Sequence, residues 1–227
     1  MTKPRTGVVA SIPAAHFEGP HEVALRHLVA SDPRLATGIA HAGHCKLPAL
    51  SRPSAEHLFD GLVSSIVSQQ LSTKAASTIM GRVRSLGAGG VLPTPERILA
   101  IEDAHFRGAG LSGAKTASVK DLATKVAART LRLEELADLD DDGVVDRLVT
   151  IRGIGRWTAE MVLMFRFGRG DVLPVADLGV RKGAMRLARM LELPDAAKLE
   201  RLARPWRPYR SVASWYLWRM AEAPVDL

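Results

Sequence analysis

Two glycines separated by one apolar residue stand between two helical segments of the chain. Residues 148–162 read LVTIRGIGRWTAEMV, so Gly153, Ile154 and Gly155 follow one amphipathic segment and directly precede another. Glycines permit a tight turn and a close approach of backbone, and Ile154 can fill the gap between the helices. The first N–H groups of the second helix lack intrahelical partners and can bind a phosphate oxygen. Without further context, a Gly-x-Gly of this kind is most often only a turn.

An aspartate stands at the start of a later predicted helix. Asp177 follows the loop that contains Pro174 and immediately precedes Leu178. The dipole of the helix favours the ionised carboxylate. A fixed carboxylate can stabilise positive charge in a transition state, and it can orient or deprotonate a water molecule. The alternative is an N-cap, which contributes about 1 kcal/mol to stability. The two roles can coexist.

The charge of the chain is uneven. The 227 residues include 31 Lys+Arg and 24 Asp+Glu, and residues 151–227 carry a net +6 of the total +7. Such a charge points towards nucleic acid, although a solvated surface with uneven patches explains it equally well. The single cysteine, Cys45, excludes a disulfide framework and a four-cysteine zinc or iron–sulfur site. Because no apolar run approaches ~20 residues and the start lacks a signal-peptide core, we expect a cytoplasmic protein, nucleoid-associated in a bacterium.

The elements that must position these residues are helical. Apolar residues recur at one-and-four spacing, and no stretch of six or more residues alternates as a strand would. Ser54 and Thr94 can cap helices, Gly108–Gly113 forms a turn, and the first 15 residues read as a loose arm. We therefore predict an all-α fold. The predicted helices span Ser54–Gln70, Thr73–Leu86, Glu96–Ala100, Ala114–Ala128, Arg156–Phe165, Leu178–Leu191, Ala196–Leu202 and Tyr209–Ala221, with one more ending near Thr150.

Several of these segments together resemble the helix-hairpin-helix DNA glycosylase superfamily. The hairpin of residues 148–162 is followed by a loop and Asp177 in LPVADLGVRK, and the combination at this spacing is specific. Within the superfamily, the pattern is most similar to the 3-methyladenine DNA glycosylase II type, which removes alkylated bases. Leu62–Ala76, Gly108–Ala123 and Arg204–Trp218 also match, so the resemblance covers roughly residues 20–221.

The resemblance implies two helical lobes with the active site in the cleft between them. One lobe would combine residues 1–51 with residues 171–227. The other would comprise residues 52–170 and carry the helix-hairpin-helix at about 140–165. The N-terminal β domain of some such enzymes is expected to be absent, because the chain reads as helical from Pro20 onwards.

The resemblance also implies an activity, namely hydrolysis of the N-glycosidic bond of alkylated purines flipped out of duplex DNA, in base excision repair. Asp177 would stabilise oxocarbenium character on the deoxyribose. Relatives that also cut the strand carry a Lys at the position of Trp157, since a Schiff base needs an amine. We therefore predict a monofunctional enzyme without lyase activity. A glycosylase for deaminated or oxidised bases and a non-catalytic DNA-binding module are the alternatives, and a pure binding module would not need Asp177.

Two groups of site residues follow from the same resemblance. Aromatic rings suit alkylated purines, which carry positive charge, through stacking and cation–π attraction. The predicted base pocket consists of Trp157, Met161, Trp215, Tyr216 and Trp218. The predicted minor-groove wedge, which would fill the gap left by the flipped base, consists of Gln69, Gln70 and Leu71. For Trp157, Trp218 and Leu71 a place in the core is the alternative, and Met161 stands where some relatives have an aromatic residue.

Contacts to DNA phosphates are expected from the hairpin, from the helix after Asp177 and from a basic C-terminal series. They provide affinity and salt dependence without sequence readout. The hairpin and helix residues are Gly153, Gly155, Arg156, Thr158, Arg181 and Lys182, and the series is Arg201, Arg204, Arg207 and Arg210.

The resemblance also bears on cofactors and partners. The main-chain carbonyls of Val149, Ile151 and Ile154 are the expected ligands of a monovalent cation. Hydrolysis of this kind requires no cofactor, and the histidines lack the spacing of a zinc site, so neither zinc nor an iron–sulfur cluster is expected. The expected partner is double-stranded DNA that contains damaged bases. The protein is expected to act as a monomer and not to associate with a membrane.

Overall fold

The computed structural model describes Ile12 and residues 19–222, and this part of the chain is helical and without strands. The all-α prediction is confirmed. The expected loose arm over the first 15 residues lies outside the described residues, except for Ile12. The α-helices are α1 Glu22–Ser31, α2 Leu35–Ala42, α3 Ala55–Ser68, α4 Thr73–Arg84, α5 Pro95–Ala100, α6 Asp103–Ala109, α7 Gly113–Ala127, α8 Asp141–Leu148, α9 Arg156–Val162, α10 Leu178–Leu187, α11 Ala196–Ala203 and α12 Arg210–Glu222.

Shorter helical segments join some of these helices. Single 3₁₀ segments lie at Ala88–Gly90, Leu133–Asp138 and Arg204–Trp206, and a π-helical turn at Leu163–Phe167 continues α9. None of the helices in the described part of the chain is long and apolar enough to span a membrane.

The chain forms two units, one of which is discontinuous in sequence. The terminal unit combines Met1–Leu50 with Gly168–Leu227, and the central unit is Ser51–Phe167. The sequence places the corresponding boundaries after residues 51 and 170. Among the described residues, the terminal unit contains α1, α2, α10, α11 and α12, and the central unit contains α3 to α9.

The terminal unit is built around α12, which is buried on nearly all sides. Residues 211–217 are all buried, and α12 packs mainly on α10 and α2. Two glycines permit this approach. A Cβ at Gly183 of α10 would lie 2.1 Å from the carbonyl oxygen of Leu217, and one at Gly38 of α2 would lie 1.8 Å from the Cε of Met220. Because Leu217 presents backbone, which cannot rotate away, the contact between α10 and α12 requires glycine at 183.

A buried carboxylate fastens the end of α1 within the terminal unit. Asp32 accepts hydrogen bonds from Arg34 Nε at 2.7 Å and Nη2 at 2.8 Å, and from the indole Nε1 of the fully buried Trp206 at 3.0 Å. Burial raises the pKa of Asp32, but the hydrogen bonds from Arg34 and Trp206 outweigh it and hold the pKa below its ordinary value.

The single cysteine also lies in the terminal unit. Burial raises the pKa of the Cys45 thiol to about 11, against the smaller opposing effect of a backbone hydrogen bond at Leu47. The neighbouring Gly43 carbonyl accepts a hydrogen bond from the Tyr216 hydroxyl at 2.8 Å. The segment after α2 is therefore held against α12 by a tyrosine of that helix.

Side-chain caps define the starts of most helices in the central unit. The capping oxygens lie 2.8–3.4 Å from the backbone nitrogen three residues on, and the two caps that the sequence predicts are among them. The capping residues are Ser54, Ser72, Thr94, Ser112 and Asp140. From this start, α3 buries an apolar face against α4, α7 and α9.

The end of one predicted helix and the start of the predicted Gly108–Gly113 turn are wrong. Helix α10 ends at Leu187 instead of Leu191, because Arg189 adopts a left-handed conformation with φ of 49° and Leu191 is fully exposed. The structure also contains α6, which the sequence does not predict. This helix runs through Gly108 to Ala109, and the left-handed Gly110, with φ of 106°, ends it.

Candidate active site

The hairpin of the central unit has one position that favours glycine, both by its backbone conformation and by its close contact with α7. Gly153 has φ of 80°, and a Cβ there would lie 2.7 Å from the Oγ of Ser118 on α7. Ile151 and Ile154 on either side are buried. The two isoleucines therefore anchor the turn in the core, as the sequence predicts for Ile154. Because Gly153 has no side chain, the turn can pass close to α7.

The second glycine of the hairpin leaves the start of α9 open. Gly155 is the N-cap residue, has no side chain to offer and would place a Cβ in open space. The N–H groups of the first helical turn lack intrahelical partners by geometry and carry the positive end of the helix dipole. Thr158 is buried, so it can offer its N–H to a phosphate but not its hydroxyl.

The arginine of the hairpin is engaged with carboxylates. Arg156 Nε lies 3.2 Å from Glu160 Oε1, and its Nη2 lies 3.3 Å from Asp142 Oδ1. Its side chain is 63% exposed. Surface ion pairs of this kind contribute about 0–1 kcal/mol and exchange readily, so a phosphate can replace Asp142 at little cost. The phosphate contact of Arg156 stays a prediction.

Trp157 lies on the first turn of α9 and is 46% exposed, so it is not a core residue of the hairpin. Met161 follows one turn later and is partly buried. Residues four apart share a helix face, so the indole and the thioether form one apolar strip. This geometry is suitable for a wall against which a base can stack.

The predicted wedge follows α3 directly. Gln70 has a left-handed conformation with φ of 58°, and Leu71 is 38% exposed, so Leu71 is not a core leucine. The amide of Gln69 is engaged within the protein, because its Nε2 donates to the carbonyl oxygen of Gly153 at 2.8 Å. Gln69 thus ties this turn to the hairpin, a role that the sequence does not predict.

The hairpin has a further support that sequence reasoning missed. Asp121 of α7 accepts a hydrogen bond from the backbone N–H of Arg152 at 2.8 Å. It also forms an ion pair with Lys125 at 2.7 Å. Burial raises the pKa of Asp121, but its contacts to Lys125 and Arg152 outweigh this and lower it overall. A side-chain contact to backbone 31 residues away leaves no signal in local periodicity.

The terminal unit holds the predicted catalytic carboxylate at the start of α10. Asp177 is its N-cap residue, and Oδ1 accepts hydrogen bonds from the backbone N–H of Val180 and from the indole Nε1 of Trp218, both at 2.8 Å. Gly179 makes room for that indole, since a Cβ there would lie 2.6 Å from Trp218 Cδ1. Asp177 is partly exposed. The capping role is therefore present, and the carboxylate is held in one orientation by two donors.

The other aromatic residues of α12 differ from the predicted pocket wall. Trp215 is 6% exposed and Tyr216 is fully buried. Their rings meet edge to face at 4.9 Å, and Arg219 lies over the Trp215 ring at 5.3 Å. Burial raises the pKa of Tyr216. In this structure both rings are part of the core of the terminal unit, and a base could stack on them only after neighbouring side chains moved.

Some of the predicted phosphate contacts are engaged within the terminal unit. Arg181 Nε donates to the carbonyl oxygen of Pro194 at 2.8 Å. Arg210 binds the Asp171 carboxylate through Nε at 2.7 Å and Nη2 at 2.9 Å, and Arg207 binds the same carboxylate at 2.9 Å. Arg207 and Arg210 hold the loop that precedes Asp177, and Arg181 binds the segment after α10. The exposed members of the predicted set in this unit are Lys182, Arg201, Arg204 and Arg207, of which Arg207 also pairs with Asp171.

The carbonyls predicted to hold a monovalent cation lie at the end of α8 and in the hairpin turn. Val149 caps the C-terminus of α8, where carbonyls lack intrahelical partners, and the Ile151 carbonyl accepts the N–H of Ile154 at 3.0 Å. Main-chain oxygens suit a hard cation, and the cation site at these carbonyls stays a prediction. Among the described residues, no group of three or more His, Cys, Asp or Glu could hold a metal ion.

Comparison with known proteins identifies the class that this fold and hairpin define. The model of the HhH-GPD superfamily of base excision DNA repair proteins matches residues 63–208, more than half of the chain. The chain belongs to this superfamily, and the resemblance found in the sequence is confirmed.

Within the superfamily, the chain is similar to several 3-methyladenine DNA glycosylases. It is 35% identical to DNA-3-methyladenine glycosylase 1 of Schizosaccharomyces pombe over 165 residues, and the aligned region covers 72% of each chain. It is similar to the structure of a 3-methyladenine DNA glycosylase of that yeast in complex with abasic DNA, with a TM-score of 0.76, 32% identity and coverage of 88% of this chain and 97% of the other. A DNA-3-methyladenine glycosidase from Bacillus halodurans has a TM-score of 0.75, 42% identity and coverage of 87% and 88%.

Proposed function

We propose that this protein is a monofunctional DNA glycosylase of base excision repair, which hydrolyses the N-glycosidic bond of alkylated purines such as 3-methyladenine in duplex DNA. The observation that carries the proposal is the Asp177 carboxylate, held by Val180 and Trp218 in a chain of the HhH-GPD superfamily. The names of the yeast and Bacillus relatives support the substrate class, and the abasic DNA bound by the yeast enzyme supports DNA as the partner.

Hydrolysis breaks the bond between C1′ of the deoxyribose and a ring nitrogen of the base. The base leaves with the bonding electrons, the sugar gains oxocarbenium character, and a water oxygen adds to C1′. The carboxylate of Asp177 stabilises the positive charge and accepts the proton that the water loses. Because Val180 and Trp218 fix Oδ1, little reorganisation is needed when the charge develops.

The alkylated purine contributes its own reactivity. An alkylated ring carries positive charge and leaves as a neutral base, so the reaction places little demand on a general acid. The exposed ring of Trp157 suits such a base, because cation–π attraction contributes about 0.5–2 kcal/mol that an unmodified base does not gain. Selection by charge and stacking is expected to accept several alkylated purines.

Binding to DNA is expected to rely on the open first turn of α9, with Arg156 exchanging a carboxylate for a phosphate. A monovalent cation at the carbonyls of Val149, Ile151 and Ile154 would add positive charge beside those N–H groups. We expect a monomer to suffice, acting in the cytoplasm without a further cofactor.

The absence of lyase activity rests on one position. Trp157 occupies the place at which lyase relatives carry the amine for a Schiff base, and an indole cannot form one. Incubation with lesion-containing duplex and sodium borohydride should therefore give no covalent protein–DNA adduct on a denaturing gel, although free base is released. A robust adduct would refute the monofunctional assignment.

The replacement Asp177→Asn tests the mechanism. It keeps the cap, because Asn serves as well as Asp at an N-cap, but it removes the negative charge. We expect the single-turnover rate of base release to fall by at least ~10²–10³-fold, in line with the loss of one preorganised electrostatic group. Affinity for an abasic-site duplex should change only a few-fold.

The matched control is Asp195→Asn. Asp195 caps α11 in the same unit, with Oδ1 2.7 Å from the nitrogen of Lys198. The control should lose no more stability than Asp177→Asn and should keep the wild-type rate. Near-normal base release by Asp177→Asn, or an equal loss in both variants, would contradict the mechanism.

A further inference from the structure

Three side chains of α7 contact the two loops that the proposed function places against DNA, namely the hairpin and the turn after α3. Lys115, Ser118 and Asp121 are spaced by three residues and so lie along one side of the helix. Ser118 lies against Gly153, and Asp121 accepts the N–H of Arg152, so both support the hairpin. Lys115 reaches the other loop, the turn that carries the predicted wedge.

The ammonium group of Lys115 binds the end of α3. Its Nζ donates to the carbonyl oxygens of Val67 and Gln69, both at 2.7 Å. Carbonyls in the last turn of a helix lack intrahelical partners and carry the negative end of the helix dipole, so a cation is favoured there. Burial lowers the pKa of Lys115, as expected for an ammonium taken partly out of water.

The turn that Lys115 holds has a conformation that is otherwise costly. Gln70 lies in the left-handed region, which a side chain rarely adopts, and it directly precedes the exposed Leu71. Two contacts fix the residue before it: the Gln69 carbonyl accepts from Lys115, and the Gln69 amide donates to Gly153. The wedge turn is thus fastened on one side to α7 and on the other to the hairpin.

We propose that Lys115 is a positioning residue for base extrusion: it holds the turn Gln69–Leu71 in the conformation that inserts Leu71 where the base leaves the stack. The inference rests on the proposed function, because only an enzyme that extrudes a base needs a preformed wedge. Lys115 itself touches neither base nor sugar. Its removal should therefore slow excision of a stacked base far more than excision of a base already outside the stack.

The test compares one lesion in two contexts. The lesion that the wild-type protein excises best is placed opposite its normal partner in one duplex and in a single-nucleotide bulge in another. Single-turnover rates are measured for the wild type, Lys115→Met, Lys115→Arg and Lys120→Met. Lys120 is the control, since it lies on the same helix but pairs with Asp103 at 2.5 Å, away from the wedge turn.

For Lys115→Met we expect the rate on the paired lesion to fall about tenfold or more and the rate on the bulged lesion to change less than threefold. Lys115→Arg, which keeps a cationic donor, should recover most of the loss, and Lys120→Met should match the wild type in both contexts. Equal rates for Lys115→Met and wild type on the paired lesion, or equal losses in both contexts, would overturn the inference.

Thermal unfolding of each variant separates positioning from folding. If Lys115→Met does not fold, Lys115→Gln replaces it, and failure of both would overturn the inference by showing that Lys115 holds the unit rather than the turn. The proposed function fails separately. It fails if the wild type releases no base from either duplex, whereas the positioning role fails only when an active wild type and Lys115→Met respond alike.

Discussion

At the scale of single residues, a hydrogen bond from a tryptophan indole to an aspartate carboxylate occurs in two places, where it has different roles. The indole of Trp218 donates to Asp177, and the indole of Trp206 donates to Asp32. The first carboxylate is partly exposed at the start of a helix, and the second is buried and also bound by Arg34. The same pair of groups therefore orients the proposed catalytic carboxylate in one place and stabilises the fold in the other.

Replacing Trp218 with Phe should impair catalysis rather than folding. Phe keeps an aromatic ring at this position but has no N–H. Oδ1 of Asp177 therefore loses the hydrogen bond from Trp218 and keeps the one from the backbone N–H of Val180. A hydrogen bond to a charged group contributes about 1.5–3 kcal/mol, so we expect the single-turnover rate to fall roughly tenfold or more. Affinity for an abasic-site duplex is measured alongside and should change less than the rate.

The matched variant is Trp206→Phe, which removes the equivalent bond to Asp32. It should lower the free energy of unfolding, because a buried carboxylate loses a donor, while the folded fraction keeps its rate of base release. If Trp206→Phe reduced the rate per folded molecule as much as Trp218→Phe, the special role of the Asp177 contact would be disproved.

Residue types in the sequence predict part of the site, but not which side chains are exposed. The sequence identifies Asp177 as a cap and Gly153 as a turn residue, because both depend on local chain geometry. It cannot separate Trp157 from Tyr216, since both are aromatic residues on helices near the predicted site. Only packing shows that Trp157 is half exposed and that Tyr216 is buried with its hydroxyl on Gly43.

At the scale of elements, the hairpin depends on the fit between one turn and α7. The left-handed φ of Gly153 would cost a residue with a side chain about 1–2 kcal/mol, and its Cβ would collide with Ser118 Oγ. We therefore expect Gly153→Ala to lower the melting temperature by several degrees, at about 2–4 °C per kcal/mol for a chain of this size. Differential scanning calorimetry measures the shift.

Two further variants separate strain from collision. Gly155→Ala should lower the melting temperature less than Gly153→Ala, because Gly155 has φ of −94° and open space at its Cβ position, so only the preference of an N-cap for Gly over Ala is lost. Adding Ser118→Ala to Gly153→Ala removes the Oγ and should restore part of the loss. Full restoration would show that the backbone conformation is not strained, contrary to the explanation given for Gly153.

Helices are more predictable than the contacts between them. Periodicity and capping residues place α3 and α5 within one or two residues, because both signals are local. The predicted end of α10 is wrong because Leu191 continues the apolar spacing although it is fully exposed. The hydrogen bonds from Lys115 to α3 join residues more than 40 positions apart, and no local pattern reports them.

At the scale of the whole molecule, net charge overstates the number of Lys and Arg side chains that are available to bind DNA phosphates. The chain has a formal net charge of +7, yet Arg207 and Arg210 share one carboxylate and Arg181 binds a carbonyl. Charge counting from sequence treats all arginines alike. The structure separates those that fasten a loop from exposed ones such as Arg201.

Stability of the whole molecule should depend on pH through Asp32. Its folded pKa lies below the unfolded value of about 3.9, so its contribution is complete above that value and is lost as the pH falls through the folded pKa. The free energy of unfolding in urea is compared for wild type and Asp32→Asn between pH 7 and pH 3. The difference should be constant above about pH 5 and should shrink below about pH 4. A difference that grew on acidification would contradict the lowered pKa.

The partly buried thiol of Cys45 has a consequence for a protein proposed to work where DNA is being alkylated. The reagents that methylate bases also attack sulfur, and they react with the thiolate rather than the thiol. With a pKa raised to about 11, only about one Cys45 in ten thousand is ionised at pH 7. The same exposure to electrophiles that creates the substrate should therefore leave the only cysteine of the chain unmodified.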